Sequence, residues 1–229
     1  MKRFYKTVDI STQPPYEILL DGKSIKTPLK KTLSVNSIIL AEKIAEEWSK
    51  IEDTIQADDM PITQLVSTAL DKIDGFEKDI IDQILAYIHG DTLLYITKED
   101  PLLYSKQQEQ WLPLIDLMNK EIGAEYQIQE TLLPTDQSNE IITFWKQYLE
   151  KLDIYELNAF QVGVSLTSSP ILIYHLFKNK LTQEDVFTHA LLEELHQNEL
   201  WGTDWEAEDL QKKKKKELED LSFYIKNLS

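Results

Sequence analysis

Apolar and polar positions follow two rhythms along this chain, and the change comes near residue 35. Before it, residues 4–10, 16–20 and 23–27 are short stretches rich in aromatic and β-branched side chains, the composition of strands. Pro14-Pro15 and Asp21-Gly22 punctuate them. Asp-Gly supplies the positive φ angles of a tight two-residue turn, so residues 16–20 and 23–27 are expected to pair as a hairpin. A sheet this small cannot close a core alone and needs a helix on one face. The pattern predicts one over residues 37–52, where Leu40, Ile44, Trp48 and Ile51 recur at helical spacing. Glu42, Lys43, Glu46, Glu47 and Lys50 take the other side, and Asn36 or Ser37 can cap the first amides.

Pro61 suits a first helical position, and Ile62, Leu65, Val66, Ala69 and Ile73 form the next apolar stripe. Beyond Gly75 the helical period dominates. Phe76, Ile80, Ile84 and Ile88 line one segment, Trp111, Ile115, Met118 and Ile122 another, and Ile141, Trp145, Tyr148 and Leu152 a third. Further helices are expected over residues 154–166, 170–178, 182–199 and 205–228. Thr182 with Asp185 has the spacing of a capping box, and Ser169-Pro170 reads as a cap followed by a first-turn proline. The fold class expected is α+β: a small antiparallel-sheet domain over residues 1–75, then a helical domain over residues 76–229.

At 229 residues the chain is long enough to bury a real core, and Lys plus Arg number 24 against 40 Asp plus Glu, a net charge of −16. That sign argues against general nucleic-acid binding, because phosphate backbones attract positive surfaces. The absence of cysteine excludes disulfide scaffolds, thiolate metal sites and cysteine nucleophiles. No window approaches the roughly 20 apolar residues of a membrane span. Residues 1–6 form no apolar signal core and no Arg/Ser-rich leader, so the expectation is a bacterial cytoplasmic protein with no transit peptide and no membrane insertion.

Catalytic constellations are absent from the pattern. The six glycines are dispersed, so neither G-x-G-x-x-G nor a Walker A loop exists. His189 and His196 stand seven apart with Glu193 between them, and the roughly 10 Å of helix rise this implies is too far for one zinc ion. Ser165, Ser168 and Ser169 follow Gly163 without a complete G-x-S-x-G elbow or a preceding strand. The run of five lysines at residues 212–216 is flanked by Glu206, Glu208, Asp209, Glu217, Glu219 and Asp220, so on a helix it reads as a salt-laced, solvated face. No catalytic, metal or cofactor residue is assigned.

Several stretches taken in order resemble one family, the assembly chaperones of the ATP synthase catalytic sector. Arg3-Phe4-Tyr5-Lys6 matches its R-F-Y-K opening, and residues 20–28, Leu20-Asp21-Gly22-Lys23-Ser24-Ile25-Lys26-Thr27-Pro28, match L-D-G-R/K-x-L/I-K-T-P. Residues 40–48 match L-A-x-x-I-A-x-E-W, ending on Trp48. Met60-Pro61-Ile62-Thr63 matches M-P-L/I-T, Ala69-Leu70-Asp71 matches A-I/L-D, and residues 197–202 match Q-x-E-x-W-G. The likeness is collinear over about residues 3–220. It departs at Trp111-Leu112-Pro113-Leu114-Ile115, where the family has W-D-P-L-L, and at Ser168-Ser169-Pro170, where it has Gly-Ser.

The resemblance implies an N-terminal α/β domain, a C-terminal bundle of crossing helices, and a non-enzymatic chaperone. It also implies a partner, the unassembled α subunit, held until it meets β. The alternatives are an adaptor of the same fold with another client, or a small hydrolase using scattered carboxylates. The family also has a functionally important glutamate near its C-terminal end, and by position Glu194 or Glu206 is its counterpart. The tentative client-binding set is Glu194, Glu199, Trp205 and Glu206, where acids, Asp204 among them, gather at a chain reversal around Gly202. Trp201 is expected to pack that corner, while Trp205 reads equally as packing or as an exposed anchor. Trp48, Asp21 and Gly22 are structural: a core aromatic and a hairpin turn. Lys26-Thr27-Pro28 reads as a strand terminator or a positive client-contacting loop. The chain is expected to act as a monomer without a cofactor.

Overall fold

The computed structural model describes residues 2–129, 135–202 and 205–228. Its strands gather at the start: β1 (Val8–Ile10), β2 (Tyr16–Leu20), β3 (Lys23–Ser24) and β4 (Ser34–Val35). All pairings are antiparallel, with β2 central: Val8 lies opposite Leu20, Leu20 opposite Lys23, and Tyr16 opposite Val35. The β2–β3 turn is Asp21-Gly22 with φ of 48° and 76°, the two positive values a two-residue turn of this hand needs. The first strand is shorter than expected. Lys6 N–H and Thr7 N–H donate to Asp21 Oδ1, both at 2.9 Å, instead of to a ladder. Those bonds hold the exposed Asp21 carboxyl below its ordinary range.

The expected helix lies on this sheet as α1 (Ile38–Ser49), capped by Ser37, whose hydroxyl accepts from Leu40 N–H. It buries Leu40, Ala41, Ile44 and Trp48 against Ile18, Leu20, Leu33 and Val35. Tyr5 Oη donates to the Trp48 carbonyl at 2.6 Å, tying the chain before β1 to the end of α1. Glu47 is a correction to the solvent-facing reading: it is buried and accepts from Ile62 N–H, Thr63 N–H and Thr63 Oγ1 at 2.8, 2.9 and 2.7 Å. These are orphan amides at the start of α2 (Pro61–Thr68), whose own N-cap, Met60, has no side chain that can accept. Burial outweighs the three bonds and raises the Glu47 pKa. After α2 one wider turn, Ala69–Ile73, closes with Asp74 N–H on the Ala69 carbonyl.

From there the chain is helical: α3 (Glu77–Ile88), α4 (Pro101–Gln110), α5 (Leu112–Ile122), α6 (Asn139–Leu149), α7 (Ile154–Thr167), α8 (Pro170–Phe177), α9 (Gln183–Ala190), α10 (Leu192–Trp201) and α11 (Trp205–Lys226). Ser169 and Thr182 cap α8 and α9, and the Thr182–Asp185 box is reciprocal. Two expectations are corrected. The segment over residues 182–199 breaks at Leu191 into α9 and α10, and Phe76 stands exposed in the turn before α3. α4 carries no apolar stripe that could have announced it.

The chain divides into two compact units. One comprises Met1–Glu77 with Asp153–Ala159 and Phe223–Ser229; the other comprises Lys78–Leu152 with Phe160–Ser222. In the first, Asn158 Nδ2 donates to the Leu65 carbonyl and Tyr155 Oη to that of Ser34, at 2.9 and 3.1 Å, which fastens residues 153–159 to the sheet and α2. The second unit is built around a cluster of rings in edge and tilted contact: Phe144, Trp145, Tyr148, Phe160 and Tyr174. Trp145 Nε1 donates to Tyr126 Oη inside it.

Candidate functional site

The C-terminal corner is made by α10, α11 and the helix that braces α10 from below in sequence, α4. Bonds between α4 and α10 run the length of the pair. His196, buried, places Nε2 2.9 Å from Asp100 Oδ2, and the other oxygen of Asp100 caps α4 by accepting from Leu102 and Leu103 N–H. Gln107 Nε2 donates to Glu193 Oε1 at 2.7 Å, and Lys106 Nζ to Glu199 Oε2 at 2.6 Å. The Lys106 bond holds the exposed Glu199 carboxyl below its usual range. Glu194 accepts from Gln211 Nε2 of α11 at 2.6 Å.

The four acidic and aromatic candidates therefore divide. Glu199 is occupied by Lys106 and Glu194 by Gln211, so each helps to position the corner. Glu206 is exposed and has no ion-pair partner among the described residues. Trp205, in the first turn of α11, is 71% exposed. Asp204 lies outside the described residues. Gly202, with φ of 81°, ends α10 as expected.

Trp201 overturns its expectation: it is 78% exposed and packs no corner. The helix geometry gives the reason. Leu192 and His196 are the buried residues of α10, and Trp201 stands five residues past His196, roughly 140° round the helix from it. Leu200 and Leu210, missed from the sequence, are also exposed. Leu210 stands eleven residues, about three turns, before the buried Leu221 on α11. It prolongs the core stripe of α11 past the point where anything covers it, and that mismatch was the available signal. Four large apolar side chains, Leu200 and Trp201 on α10 and Trp205 and Leu210 on α11, are thus exposed among acids, and exposed apolar surface of this kind is characteristic of binding sites.

The other features behave as solvated or structural groups. On α11, Lys212 pairs with Glu208, Lys216 with Asp220 and Lys215 with Glu184, at 3.0, 2.8 and 2.8 Å. His189 and His196 fall on different helices, and no cluster of His, Asp and Glu suited to a metal exists among the described residues. Ser165 donates back to the Gln161 carbonyl within α7 and approaches no base. No helix among the described residues is long and apolar enough to cross a membrane.

A sequence profile described as ATP12 chaperone protein matches residues 2–119, just over half of the chain. The mitochondrial protein atp12 of Schizosaccharomyces pombe is 27% identical over 223 residues, which cover 91% of this chain and 76% of that relative. Among solved structures, Atp12 from Paracoccus denitrificans matches with a TM-score of 0.91 at 26% identity, over 100% of this chain and 98% of its own. The Atu1473 protein of Agrobacterium tumefaciens matches with a TM-score of 0.93 at 30% identity, over 100% of this chain and 86% of its own.

Proposed function

The chain belongs to the ATP12 chaperone family, non-enzymatic assembly factors of the ATP synthase catalytic sector, and we propose that its client is the unassembled α subunit of that sector. A subunit waiting for its partners exposes an apolar assembly surface that aggregates at cellular concentrations. Covering it calls for a complementary apolar patch with a charged rim and no reactive group. The observation that carries the reading is the exposed pair Trp201 and Trp205 beside the unpaired Glu206. Tryptophans contribute large rigid contact area, and a carboxylate at their edge can accept from an Arg or Lys of the client.

The test is suppression of α-subunit aggregation, measured beside the melting temperature of each variant. Glu206→Gln should weaken client binding by about 1–3 kcal/mol, as removal of a charge-assisted bond does. Trp201→Ala and Trp205→Ala should weaken it at least as much with the melting temperature unchanged, because neither ring supports the fold. Glu199→Gln, which releases Lys106, should have the smaller effect. If all variants protect the client like the parent chain, the corner is a solvated face and the contact lies elsewhere.

A further inference from the structure

The first compact unit contains a half-open cavity of about 680 Å³, far in sequence from the corner. Its walls come from segments separated in the chain: Lys26 to Leu29 from the loop after β3, Trp48 from α1, Met60, and the face of α2 and the following wide turn. The lining is mainly apolar, and its volume falls in the range of roughly 300–1,000 Å³ typical of ligand pockets.

Four polar side chains of this lining, Thr27, Thr63, Gln64 and Asp71, are committed to the fold. Asp71, presented by the wide turn, accepts from Thr27 Oγ1 at 2.6 Å and from Leu29 N–H at 2.9 Å, which spends its carboxylate on shaping the loop. Thr63 Oγ1 donates to Glu47, and Gln64 Nε2 to the Ala57 carbonyl. Two exposed ammonium groups are left over. Lys26 Nζ reaches only the hydroxyl of Thr32, at 2.5 Å, and Lys72 has no carboxylate partner among the described residues. Trp48 Nε1 is also buried without an acceptor. At the rim of the lining, Leu29 is 66% exposed.

We propose that this cavity binds an extended polypeptide segment that inserts an apolar side chain and sets an adjacent carboxylate against Lys26 and Lys72. The charge complementarity is local and opposite in sign to the chain as a whole: in a protein of net charge −16, this cavity is lined by two lysines against one carboxylate, whose oxygens accept from Thr27 and Leu29. Apolar walls supply affinity and the lysines select the neighbour. Leu29 lines the cavity yet is 66% exposed, so it stands at the rim, where an occupant that runs on past the opening covers it; that points to a polypeptide and not to a small acid held inside. The inference rests on the geometry of residues 25–72 and not on the identity of the client.

The experiment uses the full chain and two fluorescein-labelled heptapeptides, Gly-Ser-Leu-Glu-Phe-Ser-Gly and the same sequence with Lys in place of Glu, read by fluorescence anisotropy. The acidic peptide should bind at least tenfold more tightly than the basic one. Lys26→Glu with Lys72→Glu, two exposed positions, should reverse that order, and Ser67→Trp, which fills the cavity, should abolish binding of both. Equal binding of the two peptides, no binding of either at millimolar concentration, or binding unaffected by Ser67→Trp would each overturn the proposal. Ser67-dependent binding of decanoate without peptide would replace the occupant by a small amphiphile, and self-association removed by Ser67→Trp would replace it by a second copy. If Ser67→Trp fails to fold, the charge-reversal pair decides alone. Glu206→Gln leaves this cavity intact, so loss of α-subunit protection in that variant with peptide binding retained separates the two sites.

Discussion

Asp91 is 1% exposed and accepts from Leu93 N–H and Ile171 N–H, both at 3.0 Å, with the Ser169 hydroxyl beside it. Burial outweighs these donors and pushes its pKa up to about 6. The folded chain therefore keeps a proton that the unfolded chain, titrating near 3.9, has given up. Unfolding releases that proton between about pH 4 and pH 6, so the Asp91 contribution is present in full below pH 4 and is lost as pH rises through about 6, on the order of 1–3 kcal/mol. Asp91→Asn should remove this slope. It should also lower stability near neutral pH by about 1–3 kcal/mol, since the amide leaves one buried N–H without an acceptor. Urea unfolding of both proteins from pH 4 to pH 7 reads both effects, and identical slopes would refute the assignment. Nothing local marks this residue: Gly90-Asp91-Thr92 reads as an ordinary loop, and one of its donors lies 80 positions away. Asp21-Gly22 was legible because everything its turn needs is in the dipeptide. Glu47 falls between these cases: its charge suggests the solvent-facing side, yet seven residues from Leu40 put it roughly 20° from that side chain on the apolar face, and the missing cap at Met60 announces that an outside acceptor must reach α2.

At the scale of elements, starts were more legible than breaks. Ser37, Ser169 and Thr182 all cap the helices their sequence positions announce, because an N-cap is a contact within four residues. Leu191 divides α9 from α10 with neither Gly nor Pro to signal it, and the continuous helical period across residues 182–199 concealed it. Gly163 is the opposite case, a glycine that breaks nothing. It lies inside α7, where an added Cβ would come 2.7 Å from Ile173 Cδ1 and 2.9 Å from Cγ1, so its lack of a side chain lets α7 and α8 approach. Gly163→Ala gains up to about 1 kcal/mol of helix propensity but meets a fully buried side chain, and overpacking of this kind costs about 1–3 kcal/mol. The net expectation is destabilisation. Ile173→Val removes the nearer atom, so the double variant should be more stable than the sum of the two single changes, measured as a double-mutant cycle by urea denaturation. Additive changes would mean that α7 simply shifts away.

Charge organises the whole molecule more than any single pair does. Residues 1–77 hold 10 basic and 13 acidic side chains, while residues 78–229 hold 14 and 27, so most of the −16 belongs to the part of the chain that carries the corner. Among the described residues five of those acids, Glu184, Glu208, Asp209, Glu217 and Asp220, pair with lysines on α11, and such surface pairs contribute little to stability. If the corner holds the client as proposed, the collective field of the acids acts on encounter, drawing a basic client face toward the exposed tryptophans before any contact forms. The length over which that field reaches falls from about 30 Å at 0.01 M salt to about 10 Å at 0.1 M. The association rate with the α subunit should therefore fall at least tenfold across this range while the dissociation rate, set by the buried tryptophan contacts, changes little. Glu206→Gln should show the reverse, a faster dissociation with nearly the same salt dependence of association, because one charge is a small part of the field. Stopped-flow binding at several salt concentrations separates the two. An association rate indifferent to salt would remove electrostatic steering from the mechanism and leave the acids of residues 78–229 with a role in keeping the chain dispersed.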